Sequence, residues 1–294
     1  MKVNLDCGQL KCERDDGTVT LPIEDITVLV IDSPRILLTS TLLNAMQRNG
    51  AAVVICDEKH HPGGIFLPFH QHSRISALAP LQAQWTKPFC KRCWQLIIQA
   101  KIMNQAKCLE VNAREGRERL ESLAAQVASG DSGNVEAIAA REYWDFLMGS
   151  HFQRQTYRDK DADLVNKALN YGYAVVRAAV ARSITAHGLL PCFGLHHDSN
   201  LNPFNLADDL IEPFRPLVDS EVYRLAEEFD GEKSELSKEH RQRLVGLAVQ
   251  QVSINNEYHT LTNAADKMAA SLVKAAKTKN PQKLVLPVLA TETP

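Results

Sequence analysis

The stretch that decides the fold is 161-DADLVNKALNYGYAVVRAAVARSITAHG-188, in which apolar residues recur at helical spacing until Gly188. This periodicity predicts one long amphipathic helix, because residues three and four apart share a helix face. Residues 85–294 are therefore expected to form a helical domain whose tail, from about residue 280, is extended. Five further segments have the same character: 93-CWQLIIQAKIMNQAKCLE-110, 113-AREGRERLESLAAQVASG-130, 132-SGNVEAIAAREYWDFLMG-149, 239-EHRQRLVGLAVQQVS-253 and 262-TNAADKMAASLVKAAKTK-279.

Before Trp85 the pattern is that of short strands. The segment 18-TVTLPIEDITVLVID-32 alternates and then becomes apolar, and 51-AAVVICD-57 and 63-GGIFLPF-69 are short apolar runs. Between them, 39-TSTLLNAMQRNGA-51 predicts one helix that begins at Thr39 or Ser40 and stops at Gly50. Residues 1–84 are thus expected to form a small strand-rich domain, which makes the fold class α+β.

The composition is that of a soluble globular protein. Of the 294 residues, 45% are hydrophobic and 23% are charged, and no apolar run approaches the roughly 20 residues that a membrane helix needs. The start of the sequence lacks the apolar core of a secretory signal, and the odd number of cysteines, seven, favours reduced thiols and a cytoplasmic location. Cys90 and Cys93 form a CxxC pair within a helical pattern. Because no second pair follows at zinc spacing, packing is favoured over a metal or redox role.

The formal net charge of −2 is unevenly distributed along the chain. Residues 191–230 include 2 basic and 9 acidic residues, whereas residues 85–190 include 15 basic and 11 acidic ones. A polyanion would avoid such an acidic segment unless cations bridged the two.

Within the acidic segment, 193-FGLHHDSNLNPFNLADDLIEPFRP-216 combines two adjacent histidines with the three carboxylates of 208-DDLIE-212. Asn205 is expected to cap a short helix over residues 206–212, on which Asp209 and Glu212 share a face. Pro213 predicts a break beside Glu212, and adjacent histidines cannot both point the same way. Spacing alone leaves two interpretations open, a metal site and a solvated acidic start of a helix.

Glu136 is the informative carboxylate upstream of this segment. A helix is expected from Val135 to Leu147 with Asn134 as its N-cap, and on it Glu136 shares an apolar stripe with Tyr143 and Leu147. A buried carboxylate needs a partner or a cation, although acidic residues are also favoured in the first turn of any helix. An imidazole with two carboxylates would suit Mg²⁺ or Mn²⁺, whereas structural zinc prefers four closed ligands that include thiolates.

Several long motifs, taken in their order along the chain, closely resemble one family. They are similar to the CRISPR adaptation integrase, the larger of the two universal spacer-acquisition subunits, in a type II-like variant. The likeness extends over roughly residues 20–225 and implies an N-terminal β-sandwich-like domain followed by an all-helical domain that holds a metal. The motifs are LPIEDITVLVID, TSTLLNAMQRNGAAVVICDEKHHPGGIFLPF, KIMNQA, NVEAIAAREYW, LNYGYAVVRAAVAR and FGLHHDSNLNPFNLADDLIEPFRPLVD.

The resemblance implies that Glu136, His197 and Glu212 are the catalytic metal ligands, with Asp209 either as an alternative ligand or as a residue that supports a ligand. Ala137 is a departure, since many relatives have glycine at that position. The implied reaction is a Mg²⁺- or Mn²⁺-dependent transesterification, in which the 3′-hydroxyl of a short DNA fragment attacks a CRISPR repeat and inserts a spacer. Two alternatives are a metal-dependent nuclease on branched or damaged DNA that joins no ends, and a non-catalytic DNA-binding scaffold.

The resemblance also implies partners. Double-stranded DNA would lie against the mildly basic helices around the acidic segment. Residues 1–84 would form a homodimer and contact a small ferredoxin-like adaptation subunit in a heterohexamer, to which other type II adaptation proteins could bind. Five arginines are candidates for contacts with DNA phosphates, and the alternative interpretation of each is a surface salt bridge or a solvated charge. These candidates are Arg141, Arg154, Arg177, Arg182 and Arg215.

Overall fold

A computed structural model of the protein describes residues 1–14, 17–33, 35–58, 60, 62–68, 75–156, 162–229 and 235–290. Its N-terminal region has two sheets. The first has the strand order β3-β2-β1-β5, in which a tight turn at Cys7 and Gly8 joins β1 to β2. In the second, β6 pairs in parallel with β4 and antiparallel with β7. The strands are β1 Lys2–Asp6, β2 Gln9–Arg14, β3 Gly17–Pro22, β4 Val28–Ile31, β5 Leu37–Leu38, β6 Ala52–Cys56 and β7 Pro62–Phe66.

Helix α1, Ser40–Arg48, packs with both sheets around one apolar core. Its start is capped as predicted, because the Thr39 side chain accepts a hydrogen bond from the Leu42 amide at 3.3 Å. Gly50 follows the end of the helix and has a φ of 75°, in the left-handed region that favours glycine. The core residues include Val3, Leu10, Leu42, Met46 and Val53. The predicted strand-rich N-terminal region is confirmed.

Strand β4 alternates between two cores. Leu29 and Ile31 face the N-terminal core, whereas Val28 and Val30 pack against the helical core. Helix α6, Leu164–Ala186, lies on this second face, where it contacts β4, β6 and β7. The sheet is therefore buried between the N-terminal core and the helices.

The helical region is built around two long helices, α3 and α6. Both carry fully buried apolar residues, such as Ile98 and Ile102 in α3 and Val176 and Val180 in α6. No helix of the described residues is long and apolar enough to cross a membrane. The helices are α2 Ile75–Ala83, α3 Lys87–Val111, α4 Arg117–Gln126, α5 Val135–Met148, α6 Leu164–Ala186, α7 Asn205–Ile211, α8 Arg215–Ala226, α9 Lys238–Gly246 and α10 Leu261–Thr278. The predicted fold class, strands followed by a larger helical part, is confirmed.

A small sheet lies inside the helical region, and sequence periodicity did not predict it. The helix expected over residues 239–253 ends at Gly246, and strands β8, Gln251–Ile254, and β9, Glu257–Thr260, form a hairpin. Asn255 and Asn256 have φ angles of 54° and 64°, which a type I′ hairpin turn requires. In the expected extended tail, β10, Val288–Leu289, pairs with β8.

The two cysteines of the CxxC pair lie in the first turns of α3. Cys93 is fully buried in the helical core, and burial raises the pKa of its thiol to about 12. Cys90 is half-buried, and both thiols are free. These environments support the packing role predicted from the sequence.

Gly172 allows α6 and α8 to approach closely. A Cβ at this position would lie 2.5 Å from Val218 Cγ1 and 3.3 Å from Leu244 Cδ2. The first distance is shorter than any ordinary contact between carbon atoms, so the helices would have to separate.

We expect Gly172→Ala to lower the free energy of unfolding by about 1–3 kcal/mol, because it overpacks this crossing. Urea unfolding would measure the effect, and Val218→Ala in the same chain should recover part of it. Gly246→Ala is the matched control, since a Cβ there meets no atom within 4 Å and should be neutral or stabilising. Equal effects of the two single substitutions would contradict this account of the helix crossing.

Candidate active site

A loop at residues 194–197 wraps around the carboxylate of Asp209, which is fully buried. Asp209 Oδ2 accepts the backbone N–H groups of Leu195 and His196, at 2.5 and 3.0 Å. Asp209 Oδ1 accepts the backbone N–H of His197 at 3.1 Å and its imidazole Nδ1–H at 2.7 Å. Both oxygens are thus engaged within the protein, so Asp209 supports the histidine loop. Support of a histidine was one of the two roles predicted for Asp209, and ligation of a metal by Asp209 stays a prediction.

The loop also requires a glycine at position 194. A Cβ there would lie 2.2 Å from the carbonyl oxygen of His197 and 2.8 Å from Asp209 Oδ2. Asn205, the first residue of α7, holds the other side of the loop by donating to the carbonyl oxygens of Cys192 and Ser199. Asn205 was predicted to be the N-cap of α7, but Phe204 holds that position. The Asn205 side chain instead makes these two hydrogen bonds to the loop.

The two adjacent histidines point in different directions, as predicted. The ring of His196 stacks flat on Trp94, with the ring centroids 4.2 Å apart, whereas the ring of His197 meets Trp94 edge-on at 5.8 Å. The hydrogen bond that His197 donates to Asp209 raises the pKa of His197 against the effect of burial, and the charge of Glu212 adds to the increase. Because Nδ1 donates to Asp209, the lone pair of a neutral ring lies on Nε2, which makes no hydrogen bond to the described residues.

Glu136 and Glu212 meet at the ammonium group of Lys101. Lys101 Nζ lies 2.6 Å from Glu136 Oε1 and 2.6 Å from Glu212 Oε2. Glu136 lies on α5, Glu212 in the turn after α7, and Lys101 on α3. Burial alone would lower the pKa of Lys101, but the charges of Glu212 and Glu136 outweigh it and raise the pKa. The two predicted carboxylates are therefore brought together, with a cation already between them.

The position of Glu136 is set by Asp131. The Asp131 carboxylate accepts the amide N–H groups of Val135 and Glu136, at 2.9 and 3.1 Å. Asn134 is the N-cap residue, as predicted, but its side chain makes no capping bond. Asp131 thus replaces it in capping the helix.

Glu212 is the buried member of the carboxylate pair. It lies in a 3₁₀ turn, Glu212–Phe214, where Pro213 interrupts the helix as predicted. Glu212 Oε1 accepts a hydrogen bond from Arg215 Nε at 2.8 Å, while Oε2 is buried against the ammonium group of Lys101, at 2.6 Å. Burial opposes ionisation, yet the charges of Arg215 and Lys101 outweigh it and lower the pKa of Glu212 to about 2.

Arg215 is held in turn by a buried aromatic and acidic network. Its guanidinium carbon lies 4.6 Å from the ring centroid of Tyr173, whose hydroxyl donates to Asp219. Tyr143 donates to the same carboxylate at 3.0 Å. Burial raises the pKa of Asp219 to about 6, although both tyrosine hydrogen bonds oppose the increase. The network holds the guanidinium of Arg215 in place, and Arg215 in turn holds the carboxylate of Glu212.

The remaining predicted arginines have different environments. Arg177 pairs with Asp208 and donates to Asn202, and Arg154 donates to Asn166 and Asn170. Arg182 donates to the Gly50 carbonyl oxygen at 2.7 Å and pairs with Asp266, so it connects α6 to the N-terminal region and to α10. Arg141 is exposed and makes no ion pair with the described residues. It is the candidate with a free guanidinium, and phosphate binding by all five arginines stays a prediction.

Lys101 and Trp94 are site residues that the sequence analysis missed. Lys101 is buried on α3 between Ile97 and Ile98 on one side and Gln105 on the other, all of them buried. The argument applied to Glu136, a charge on a buried helix face, would also have found it. Among the described residues, no three His, Cys, Asp or Glu side chains stand close enough to hold a metal ion. Glu136 and Glu212 both pair with Lys101, whereas His197 is held separately by Asp209.

Comparisons with known proteins agree with this architecture. A family model described as CRISPR associated protein Cas1 matches residues 1–247. The chain is 42% identical over 287 residues to the CRISPR-associated endonuclease Cas1 of Neisseria meningitidis serogroup C, covering 97% of this chain and 92% of that relative. It is 28% identical over 282 residues to a CRISPR-associated endonuclease Cas1 of Pyrobaculum aerophilum, covering 91% and 93%.

Two solved structures share the fold. A casposase bound to integration product has a TM-score of 0.75 at 18% identity and covers 95% of this chain and 89% of that one. A Cas6-RT-Cas1–Cas2 complex has a TM-score of 0.72 at 18% identity and covers 100% of this chain and 35% of that one. At these identities the structures establish the fold of the chain and no more.

The stability of the protein in acid should depend on Glu212. A carboxyl with a pKa of about 2 when folded and its ordinary value of 4.5 when unfolded stabilises the fold above pH 4.5. That contribution, on the order of 3 kcal/mol, is lost as the pH falls from 4.5 towards 2. Urea unfolding at a series of acidic pH values should therefore show a steeper loss of stability in the unsubstituted protein than in Glu212→Gln. Parallel curves would contradict the depressed pKa.

Asp209→Ala should destabilise the protein by about 3 kcal/mol, because three backbone N–H groups and an imidazole lose a fully buried acceptor. Chemical denaturation would measure the change. Asp198→Ala is the control, since Asp198 is exposed just after this loop and makes no hydrogen bond or ion pair with the described residues. We expect that variant to differ from the unsubstituted protein by less than about 0.5 kcal/mol. A similar loss in both variants would show that Asp209 does not organise the loop.

Proposed function

The chain belongs to the CRISPR-associated Cas1 family, and on that premise we propose that it inserts spacers by metal-dependent transesterification at Glu136, His197 and Glu212. The 3′-hydroxyl of a short double-stranded DNA fragment would attack a phosphodiester of a CRISPR repeat. One observation carries the proposal: two carboxylates from separate elements converge on a single cationic group, 2.6 Å from each. Such an arrangement is electrostatically suited to a cation.

The types of donor atom in this set suit Mg²⁺ or Mn²⁺, although the three side chains do not stand around one common point in the described part of the chain. Glu212 Oε2 is buried against the Lys101 ammonium, Glu136 is half-buried beside it, and His197 Nε2 makes no hydrogen bond to the described residues. Carboxylate oxygens and an imidazole nitrogen are ligands for these ions, and thiolates are absent from this set. When bound, the ion would polarise the scissile phosphate and stabilise charge on the attacking and leaving oxygens.

The side chains around these three residues would perform the orienting work. Asp209 holds the His197 ring by Nδ1, which directs Nε2 towards a ligand. Arg215 holds one oxygen of Glu212 and leaves the other facing Lys101. The DNA hydroxyl is the nucleophile, so no side chain is assigned that role. Arg141, exposed on the same helix as Glu136, is the first candidate for a contact with a DNA phosphate.

We propose the same partners that the sequence resemblance implies. The chain would act in the cytoplasm as a homodimer, with a small ferredoxin-like CRISPR adaptation subunit in a heterohexamer and with other type II adaptation proteins. Support comes from the relatives: one structural neighbour is described as bound to integration product, and another as a complex containing Cas1 and Cas2. A nuclease that cuts branched or damaged DNA without joining would use the same ligands, so a joining assay must separate the two activities.

Replacement of His197 by Ala should reduce joining of a labelled DNA fragment to a supercoiled plasmid with a CRISPR repeat by at least about a hundredfold. Glu136→Gln and Glu212→Gln should have the same effect, whereas His196→Ala should retain most of the activity because its ring only stacks on Trp94. The assay requires the purified adaptation partner and separates joined from cleaved products on a gel.

Each outcome of this assay discriminates among the candidate functions. Cleaved but unjoined DNA from the unsubstituted protein would indicate a nuclease. Full joining by His197→Ala and Glu136→Gln would indicate that the catalytic site lies elsewhere. A larger loss from His196→Ala than from His197→Ala would overturn the ligand assignment.

A further inference from the structure

Lys101 occupies the position between the two carboxylates to which the proposed function assigns a metal ion. Its side chain is 11% exposed, and its ammonium lies 2.6 Å from both Glu136 and Glu212. We propose that Lys101 is an internal counter-ion, which holds the two carboxylates together in the metal-free protein and which a divalent cation must displace. This inference rests on the proposed function and identifies the group that controls entry of the metal.

The burial of Glu212 is the first support. Oε1 already accepts a hydrogen bond from Arg215, and Oε2 has almost no contact with solvent. The lysine ammonium lies 2.6 Å from Oε2, so a cation that bound this oxygen would have to take the place of the ammonium. The metal and the ammonium therefore compete for the same carboxylate oxygen.

The charges of the pocket are the second support. Glu136 and Glu212 are balanced by Lys101 and Arg215, two negative charges by two positive ones. A divalent cation added to this set would create a large positive excess in a poorly hydrated pocket. Movement of the ammonium away from the carboxylates relieves the repulsion, and the flexible four-carbon stem of lysine permits that movement. A DNA phosphate could then accept the displaced ammonium, which would favour joint binding of metal and DNA.

A purely structural salt bridge predicts the opposite response to substitution. If Lys101 only held the site together, its removal would separate the carboxylates and weaken metal binding. If Lys101 competes with the metal, its removal leaves two buried carboxylates without their shared counter-ion and strengthens metal binding. The sign of the change in affinity therefore distinguishes the two roles.

The test compares the unsubstituted full-length chain with Lys101→Met, in which an unbranched neutral side chain fills the same space. Calorimetric titration with Mn²⁺ near neutral pH should give a dissociation constant about tenfold lower for the variant, since one nearby positive charge is removed. Without metal, the variant should melt at a lower temperature, and Mn²⁺ should raise its melting temperature by more than it raises that of the unsubstituted protein. Lys107→Met, a half-buried lysine on the same helix without an ion pair to the described residues, should change neither value.

Three results would overturn the inference. Equal or weaker Mn²⁺ binding by Lys101→Met, with normal binding by the unsubstituted chain, would show a structural lysine and leave the proposed function intact. Tighter binding that persists after Glu212→Gln is added would place the metal elsewhere and contradict both proposals. Absence of Mn²⁺ binding in both proteins, with and without DNA, would also contradict both.

Discussion

The burial of a negative charge at Glu212 is the constraint on which the rest of the site depends. An ionised carboxylate in a helical core is costly unless opposite charges surround it. Here the two cations come from different helices, Lys101 from α3 and Arg215 from α8. Lys101 then brings in Glu136 from α5, and Arg215 is fixed by Tyr173. Satisfying one buried charge thus fixes the relative positions of four helical segments.

A second buried carboxylate, Asp209, is satisfied by a different means. Its partners are three backbone N–H groups and one imidazole, all from a single loop. Asp209 and Glu212 are three residues apart, yet one orders a loop and the other orders helices. The break at Pro213 allows this division, because it turns Glu212 towards α3 while Asp209 stays directed at the histidine loop.

Sequence periodicity predicted the long elements because their apolar faces extend over many turns, as in α6 and α10. It also identified Glu136, a charge on an apolar stripe. It did not predict the hairpin at Asn255 and Asn256, since two short strands next to a helical pattern carry little periodic signal. Nor could spacing along the chain reveal Lys101 as the partner of Glu212, because that pairing depends on how α3 packs against a turn more than a hundred residues away.

The structure also changes the interpretation of the acidic segment, residues 191–230. Its excess of carboxylates suggested a field that would repel DNA, but several of them are paired or hydrogen-bonded to groups elsewhere in the chain. Asp208 pairs with Arg177, Glu221 with Arg243, and Asp219 accepts two tyrosine hydroxyls. A bound cation is therefore not needed to compensate the segment as a whole. Glu136 and Glu212 share one flexible lysine as their counter-ion, and it is there that we propose a metal ion takes the place of the ammonium.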